Sequence, residues 1–189
     1  GEEAALSGRL DTLEGETTIN IHNAIHQTSA LQTADLTLSR GKSITQRIQE
    51  LSVQSGNSAL SETDQRIIQE EISSLFTDLD DLFEDARFNN QDLFGATTVE
   101  SDGVRARIDE IRNSESANSD KVAELQDKLS ALQTDVGAKQ YALGREAESS
   151  FDALLNIEGQ RGQISDFDLA EEIAILLREK ISFEASVKV

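Results

Sequence analysis

The 189 residues include no cysteine, which excludes disulfides, thiolate metal sites and cysteine nucleophiles. Proline is absent as well, so the strongest helix breaker is missing and long uninterrupted helices are permitted. Aromatic residues make up only 4% of the chain against 37% hydrophobic residues overall, so any core is thin and aliphatic. A rod of helices suits such a core better than a thick globule. No run approaches the roughly 18 apolar residues of a membrane span, and no charged-then-apolar leader stands at the start. Positive charge is scarce: 17 Lys and Arg against 36 Asp and Glu, for a formal net charge of −19. No group of Lys and Arg outnumbers its acidic neighbours, which makes nucleic acid and anionic membranes poor partners. The chain opens at Gly1 and stops at Val189 inside a helical pattern, which is expected of an internal fragment.

What is present is helical periodicity. Ile44, Ile48, Leu51 and Val53 in the stretch LTLSRGKSITQRIQELSVQSGNS (36–58) have polar residues between them, the spacing of a helix face in need of partners. Matching stripes follow at Ile68, Ile72, Leu75, Leu79, Leu82 and Phe83, and at Val122, Leu125, Leu129, Leu132, Val136 and Leu143. The first helix is expected over residues 2 to about 54, carrying Leu6, Leu10, Leu13, Ile21, Ile25, Leu31 and Leu38 as well. Unbroken, it would extend roughly 80 Å at about 1.5 Å per residue. Gly15 and the β-branched residues after it are its weak point, where a kink would fall. Gly56, Asn57 and Ser58 end it, and Ser61 with Asp64 three residues on marks an N-cap for a second helix over 62 to about 87. Asn89 and Asn90 favour a turn there.

Periodicity is lost from Gly95 to Asp120. Asp102-Gly103 suits a type I′ turn between two short strands, and a short helix from Val104 to Asn113 is the rival reading. A third long helix, capped by Ser119 or Asp120, is expected to run to about Ile157, with Gly159 and Gly162 interrupting it before a last helix begins after Asp166. Its heptad spacing favours left-handed, coiled-coil-like packing. The fold class is therefore mainly α: an elongated antiparallel bundle of long helices with a small irregular or β-hairpin excursion.

Chemistry is thinly represented. His22 and His26, one helical turn apart, have the spacing of two metal ligands but no third to join them. The acids from Asp166 to Glu172 lack the glycine and ligand spacing of a calcium loop and suit the positive end of a helix dipole instead. No Ser occupies a Gly-x-Ser-x-Gly turn, and the glycines form no phosphate-binding pattern. Glu70, Glu71, Asp80 and Asp81 suit a solvated helix face better than a catalytic cleft. No enzymatic activity, metal or cofactor is expected.

Several segments, in order, resemble bacterial flagellin. NAIHQTSALQTADLTL from Asn23 is similar to the family's N-A-x-D-G-x-S-x-x-Q-T-A-E-x-x-L, and QRIQELSVQSGN from Gln46 to its Q-R-x-R-E-L-x-V-Q-x-x-N. SETDQRIIQEEI from Ser61 and the segment Phe88 to Leu93 resemble S-D-x-D-x-x-x-I-Q-x-E-I and F-N-G-Q-x-L. Further on, Val136-Gly137-Ala138 with Gln140 and the Asp166 to Glu172 run look like L-G-A-x-Q and D-x-D-x-A-E-E. The resemblance spans nearly all of 5–95 and 120–189. It departs where His26-Gln27 replaces Asp-Gly, Gln49 replaces an arginine and Asn90 replaces a glycine.

The resemblance implies a structural filament subunit, secreted through the flagellum's own channel without a cleaved signal peptide and self-assembling through its terminal helices. Its partners would be further copies of itself, hook-associated proteins and an export chaperone. It implies a discontinuous helical rod of residues 1–95 and 119–165, a reduced variable excursion over 96–118, and the start of a C-terminal filament-core helix at 166–189. The hook-filament junction protein, hook-associated protein 3, shares this terminal architecture and is the alternative; an unrelated helical adaptor or chaperone-like bundle with a basic partner is a third. The fragment itself is expected to be monomeric. A Toll-like receptor binds flagellins of this type, and by motif position the contacting residues would be Arg47, Leu51 and Glu71.

Overall fold

The computed structural model describes residues 1–88, 101–113 and 119–161, together with Arg178. Four helices account for most of them: α1 (Glu2–Ser55), α2 (Glu62–Phe88), α3 (Ser101–Asn113) and α4 (Ser119–Arg161). Among the described residues there is no strand. The chain divides into two compact units, one of residues 1–29 and 138–189 and the other of residues 30–137, so α1 and α4 each contribute to both.

In the unit of residues 30–137, all four helices contribute buried apolar side chains, most of them aliphatic. Leu31, Leu38, Ile48 and Leu51 come from α1, Ile68, Ile72, Phe76, Leu79 and Phe83 from α2, and Val104, Ile108 and Ile111 from α3; α4 adds Val122, Leu125, Leu129, Leu132 and Val136. Neighbouring helices run antiparallel. Gly41 approaches Phe83 while Arg47 further along α1 bonds Glu71 further back along α2, and Arg105 pairs with Glu84 while Arg112 pairs with Asp80. Arg107 with Glu124 and Glu110 with Lys121 set α3 against α4 in the same sense. Gln133 on α4 donates to Ser39 Oγ on α1 at 2.9 Å.

Three polar side chains of α1 are also buried here. Thr37, Thr45 and Ser52 each donate to the carbonyl four residues back, at 2.9, 2.8 and 2.8 Å. Because those hydroxyls are satisfied within the helix, they enter the core without the desolvation cost of an unpaired donor. They explain why the hydrophobic period of α1 reads less clearly than its burial. Val53, by contrast, is exposed. Two positions beyond Leu51 it lies about 200° around a helix of 3.6 residues per turn, so its assignment to the buried face is corrected.

The turn between α1 and α2 follows from its polar residues. Asn57 Oδ1 accepts from Ala59 N at 3.0 Å, and Ser61 Oγ accepts from Asp64 N at 3.1 Å while donating to Asp64 Oδ2 at 2.7 Å. Ser61 is thus the N-cap of α2, as its spacing from Asp64 predicts. Ser61→Ala is expected to cost about 1 kcal/mol, the ordinary loss at such a cap; urea unfolding measures it, and an unchanged midpoint would mean that Asp64 caps the helix unaided.

The excursion between α2 and α4 is a helix where Asp102-Gly103 suggested a hairpin. Val104, Ile108 and Ile111 recur at four and three, the period of a helix face, and all three are buried. Burying one side against a neighbouring surface requires that period, and Gly103 is simply taken into the first turn of α3. Residues 89–100 and 114–118 lie outside the described residues.

In the unit of residues 1–29 and 138–189, Ile21, Ala24, Ala147 and Leu154 form a small core, with Ile25 and Phe151 half-buried against it. Leu10 is buried in this unit, whereas Leu6, Leu13 and Ile19 are exposed. α1 passes through Gly15 without a break, and α4 continues through Gly159 to Arg161, past the end expected at Ile157. A glycine inside a helix costs only about 1 kcal/mol, too little to end a helix whose neighbours are packed. Gly162 and the segment 166–189 lie outside the described residues, apart from Arg178, which is helical and exposed.

Candidate functional site

Arg47 and Glu71, placed together by the α1–α2 turn, form an ion pair on the surface. The guanidinium donates from Nε and Nη2 to one carboxylate oxygen of Glu71, at 3.2 and 3.0 Å. Its Nη1 lies 3.6 Å from Glu50 Oε2, one turn along α1. Glu50 carries no signal of its own in the sequence; only its position three residues from Arg47 places it in the cluster. The hydrogen bonds it donates to Glu71, and then the charge of that carboxylate, hold the Arg47 guanidinium above its ordinary value. Both side chains are roughly half exposed, and screening by water keeps such a pair a weak contributor to stability.

Leu51 does not share this surface. It is 2% exposed and belongs to the core of its unit. The interval of four residues puts the two about 40° apart around α1, and α1 is rotated so that Leu51 enters the core while Arg47 stays at the surface. Val53 on α1 and Ile67 on α2 are the large apolar side chains left exposed around the α1–α2 turn.

A second cluster of charges surrounds α3. Arg105 bonds Glu84, Arg112 bonds Asp80 and the Phe76 carbonyl, and Arg107 bonds Glu124 and Glu110. Arg107 above all holds the Glu110 carboxyl below the usual carboxylate range. A depressed carboxylate stabilises the fold above its unfolded value, and that contribution is lost as pH falls through the folded one. Asp80 is therefore an ion-pair partner, while Asp81 and Glu70 point to solvent.

His22 and His26 are exposed, and no group of three or more metal-ligating side chains exists among the described residues. The run from Asp166 to Glu172 lies outside them. A groove of about 220 Å³ in the unit of residues 1–29 and 138–189 is lined by Asn20, Asn23, Gln27, Glu146 and Ser150 over Ala24 and Leu143. Its carboxamides, hydroxyl and lone carboxylate offer hydrogen bonds but neither a nucleophile with a base nor a ligand set. No described helix is long and apolar enough to cross a membrane.

Residues 5–99 match the family model for the bacterial flagellin N-terminal helical region. The chain is similar to a flagellin of Halalkalibacterium halodurans, 31% identical over 129 residues that make up 67% of this chain and 44% of that protein. It is similar to the secreted flagellin C of Campylobacter jejuni, 22% identical over 157 residues, 81% of this chain and 63% of that one. A flagellin of Clostridium tyrobutyricum is 36% identical over 77 residues, 41% of this chain and 20% of its own length. The chain thus spans between about a fifth and two thirds of these relatives.

Proposed function

The chain belongs to the bacterial flagellin family, and from that membership we propose that it serves as a structural subunit of the extracellular flagellar filament. The match across residues 5–99 carries this reading. The buried apolar seams of α1, α2 and α4 support it, since long helices packed along such seams suit a structural subunit. Self-association in the filament, export without a cleaved signal peptide, and contacts with hook-associated proteins and an export chaperone go with the proposal.

Electron microscopy after seeded polymerisation of the protein that carries this chain is the test. Long tubes are the expected result. Short junction structures alone would point to the hook-filament junction protein, and no assembly at all would point to a helical adaptor. The 189-residue chain by itself is expected to remain monomeric at moderate salt, because its net charge of −19 repels further copies. Light scattering that finds a concentration-independent dimer would count against this and favour the adaptor.

The exposed Arg47–Glu71 pair supports a second, compatible reading, recognition by the Toll-like receptor for flagellins. Arg47 and Glu71 would make the contacts, with Leu51 acting from beneath by fixing the rotation of α1. Arg47→Ala is expected to weaken receptor binding by roughly tenfold or more, as truncating an arginine at a hot spot does. Titration of the receptor ectodomain with parent and variant decides it. A parent that does not bind, or a variant that binds equally, removes this assignment.

A further inference from the structure

We propose that α3 is a charge-latched cover over α2 and α4, which undocks as a unit when its ion pairs are screened while the longer helices stay paired. The helix is 13 residues long. Isolated helices shorter than about 12–15 residues are marginal in water, so α3 keeps its form only while docked. Its apolar contribution is confined to Val104, Ile108 and Ile111. All three of its arginines are spent on the flanking helices. Arg105 and Arg112 reach Glu84 and Asp80 on α2, Arg107 reaches Glu124 on α4, and Glu110 meets Lys121 on α4 at 3.6 Å.

The pairs straddle the helix, two toward α2 and two toward α4, so the latch closes on both sides. Asp80 and Glu84 lie one and two turns beyond Phe76 on one row of α2, and the Arg112 guanidinium also takes the Phe76 carbonyl at 3.2 Å. Phe76 is 2% exposed. On α4, Lys121 and Glu124 stand in the same turns as Val122 and Leu125, which are fully buried. Undocking therefore exposes a strip of core along α2 and α4, and the ion pairs control access to it. Each of the four pairs has at least one member in contact with water: side-chain exposure is 53% for Glu84, 38% for Arg112, 60% for Glu124 and 50% for Glu110. Pairs of that kind weaken with salt, whereas the aliphatic seam shared by α1, α2 and α4 does not. Elements held by few buried contacts open locally, below the cost of global unfolding.

Hydrogen exchange of the 189-residue chain, read segment by segment, tests the latch. Raising NaCl from about 0.1 M to about 1 M, which shortens the Debye length from roughly 10 Å to roughly 3 Å, is expected to speed exchange of residues 104–113 by about tenfold or more. Exchange in the middle of α2 and of α4 stays unchanged. Arg105→Gln with Arg112→Gln is expected to speed exchange at low salt and to reduce its salt dependence, the two pairs toward α4 remaining, while Arg40→Gln, an exposed arginine of α1 outside the latch, changes neither. Equal rates for α3, α2 and α4 at both salt concentrations would overturn the proposal, because α3 would then open only with the whole unit. So would α3 exchange that is fast but indifferent to salt. The wild-type salt series needs no variant to fold.

Discussion

Leu129→Asp is expected to destabilise the unit of residues 30–137 by about 4 kcal/mol or more. Leu129 is fully buried in the stripe that α4 presents to that core, between Leu125 and Leu132. Shortening a buried leucine to alanine alone costs about 2–5 kcal/mol through lost burial and the cavity left behind. Aspartate adds a carboxylate to a surrounding of aliphatic side chains, where a charge without a partner is not tolerated. Domains are stable by only about 5–15 kcal/mol, so the substitution removes much of what holds this one. For a chain of this length about 4 kcal/mol corresponds to a fall in melting temperature of roughly 10 °C.

The defect has a pH signature. Burial raises the introduced carboxyl above its unfolded value of about 3.9, because the neutral form is the one the core accepts. Relative stability is then greatest below that unfolded value and is lost as pH rises through the folded one, so the variant recovers part of its deficit in acid. Ala131→Asp supplies the contrast, since Ala131 is exposed two residues away on α4. It is expected to cost less than about 1 kcal/mol, the difference in helix propensity. Equal melting of Leu129→Asp and the parent would show that this stripe faces water and that the bundle is wrongly assigned.

Phe83→Ala is expected to cost about 3–5 kcal/mol by leaving a cavity the size of its ring. The ring is buried where α1 packs on α2, and a Cβ placed on Gly41 would stand 3.5 Å from Phe83 Cε2 and 3.6 Å from Leu79 Cδ1. Those are ordinary contact distances, so Gly41→Ala fits and gains up to about 1 kcal/mol of helix propensity. A larger side chain does not fit, and Gly41→Leu is expected to cost about 1–3 kcal/mol by overpacking. Combining Gly41→Leu with Phe83→Ala lets the new side chain enter the void. The double variant should then fall short of the sum of the single losses by about 1 kcal/mol or more, a coupling typical of residues in contact. Chemical denaturation of the four proteins measures it. Strict additivity would mean that Gly41 and Phe83 do not share this space.

The apolar spacing of α4, from Val122 to Val136, was sufficient to mark its buried face without any structure, because aliphatic side chains at threes and fours have a single way to leave water. The cap at Ser61 was equally legible, since it depends on residues three apart in the same chain. α1 was harder. Its seam includes Thr37, Thr45 and Ser52, which look like surface residues until their hydroxyls are seen to bond the carbonyls four residues back. Phe76 is buried beside the half-buried Leu75, and adjacent apolar residues of this kind leave the rotation of a helix undecided until its neighbours are placed.

The helical class, most helix limits and the family are legible in the order of residues alone, because these rest on local propensity, periodicity and ordered motifs. That residues 101–113 form a helix follows from packing, since Asp102-Gly103 favours a turn locally and burial of Val104, Ile108 and Ile111 outweighs it. Tertiary structure likewise divided the three residues singled out by the family motif. Arg47 and Glu71 are 24 residues apart in the chain and meet across α1 and α2 in the open, while Leu51, four residues from Arg47, is turned into the core. Which row of a helix meets solvent is set by the neighbouring helices that cover the others, and no pattern within a single helix contains that information.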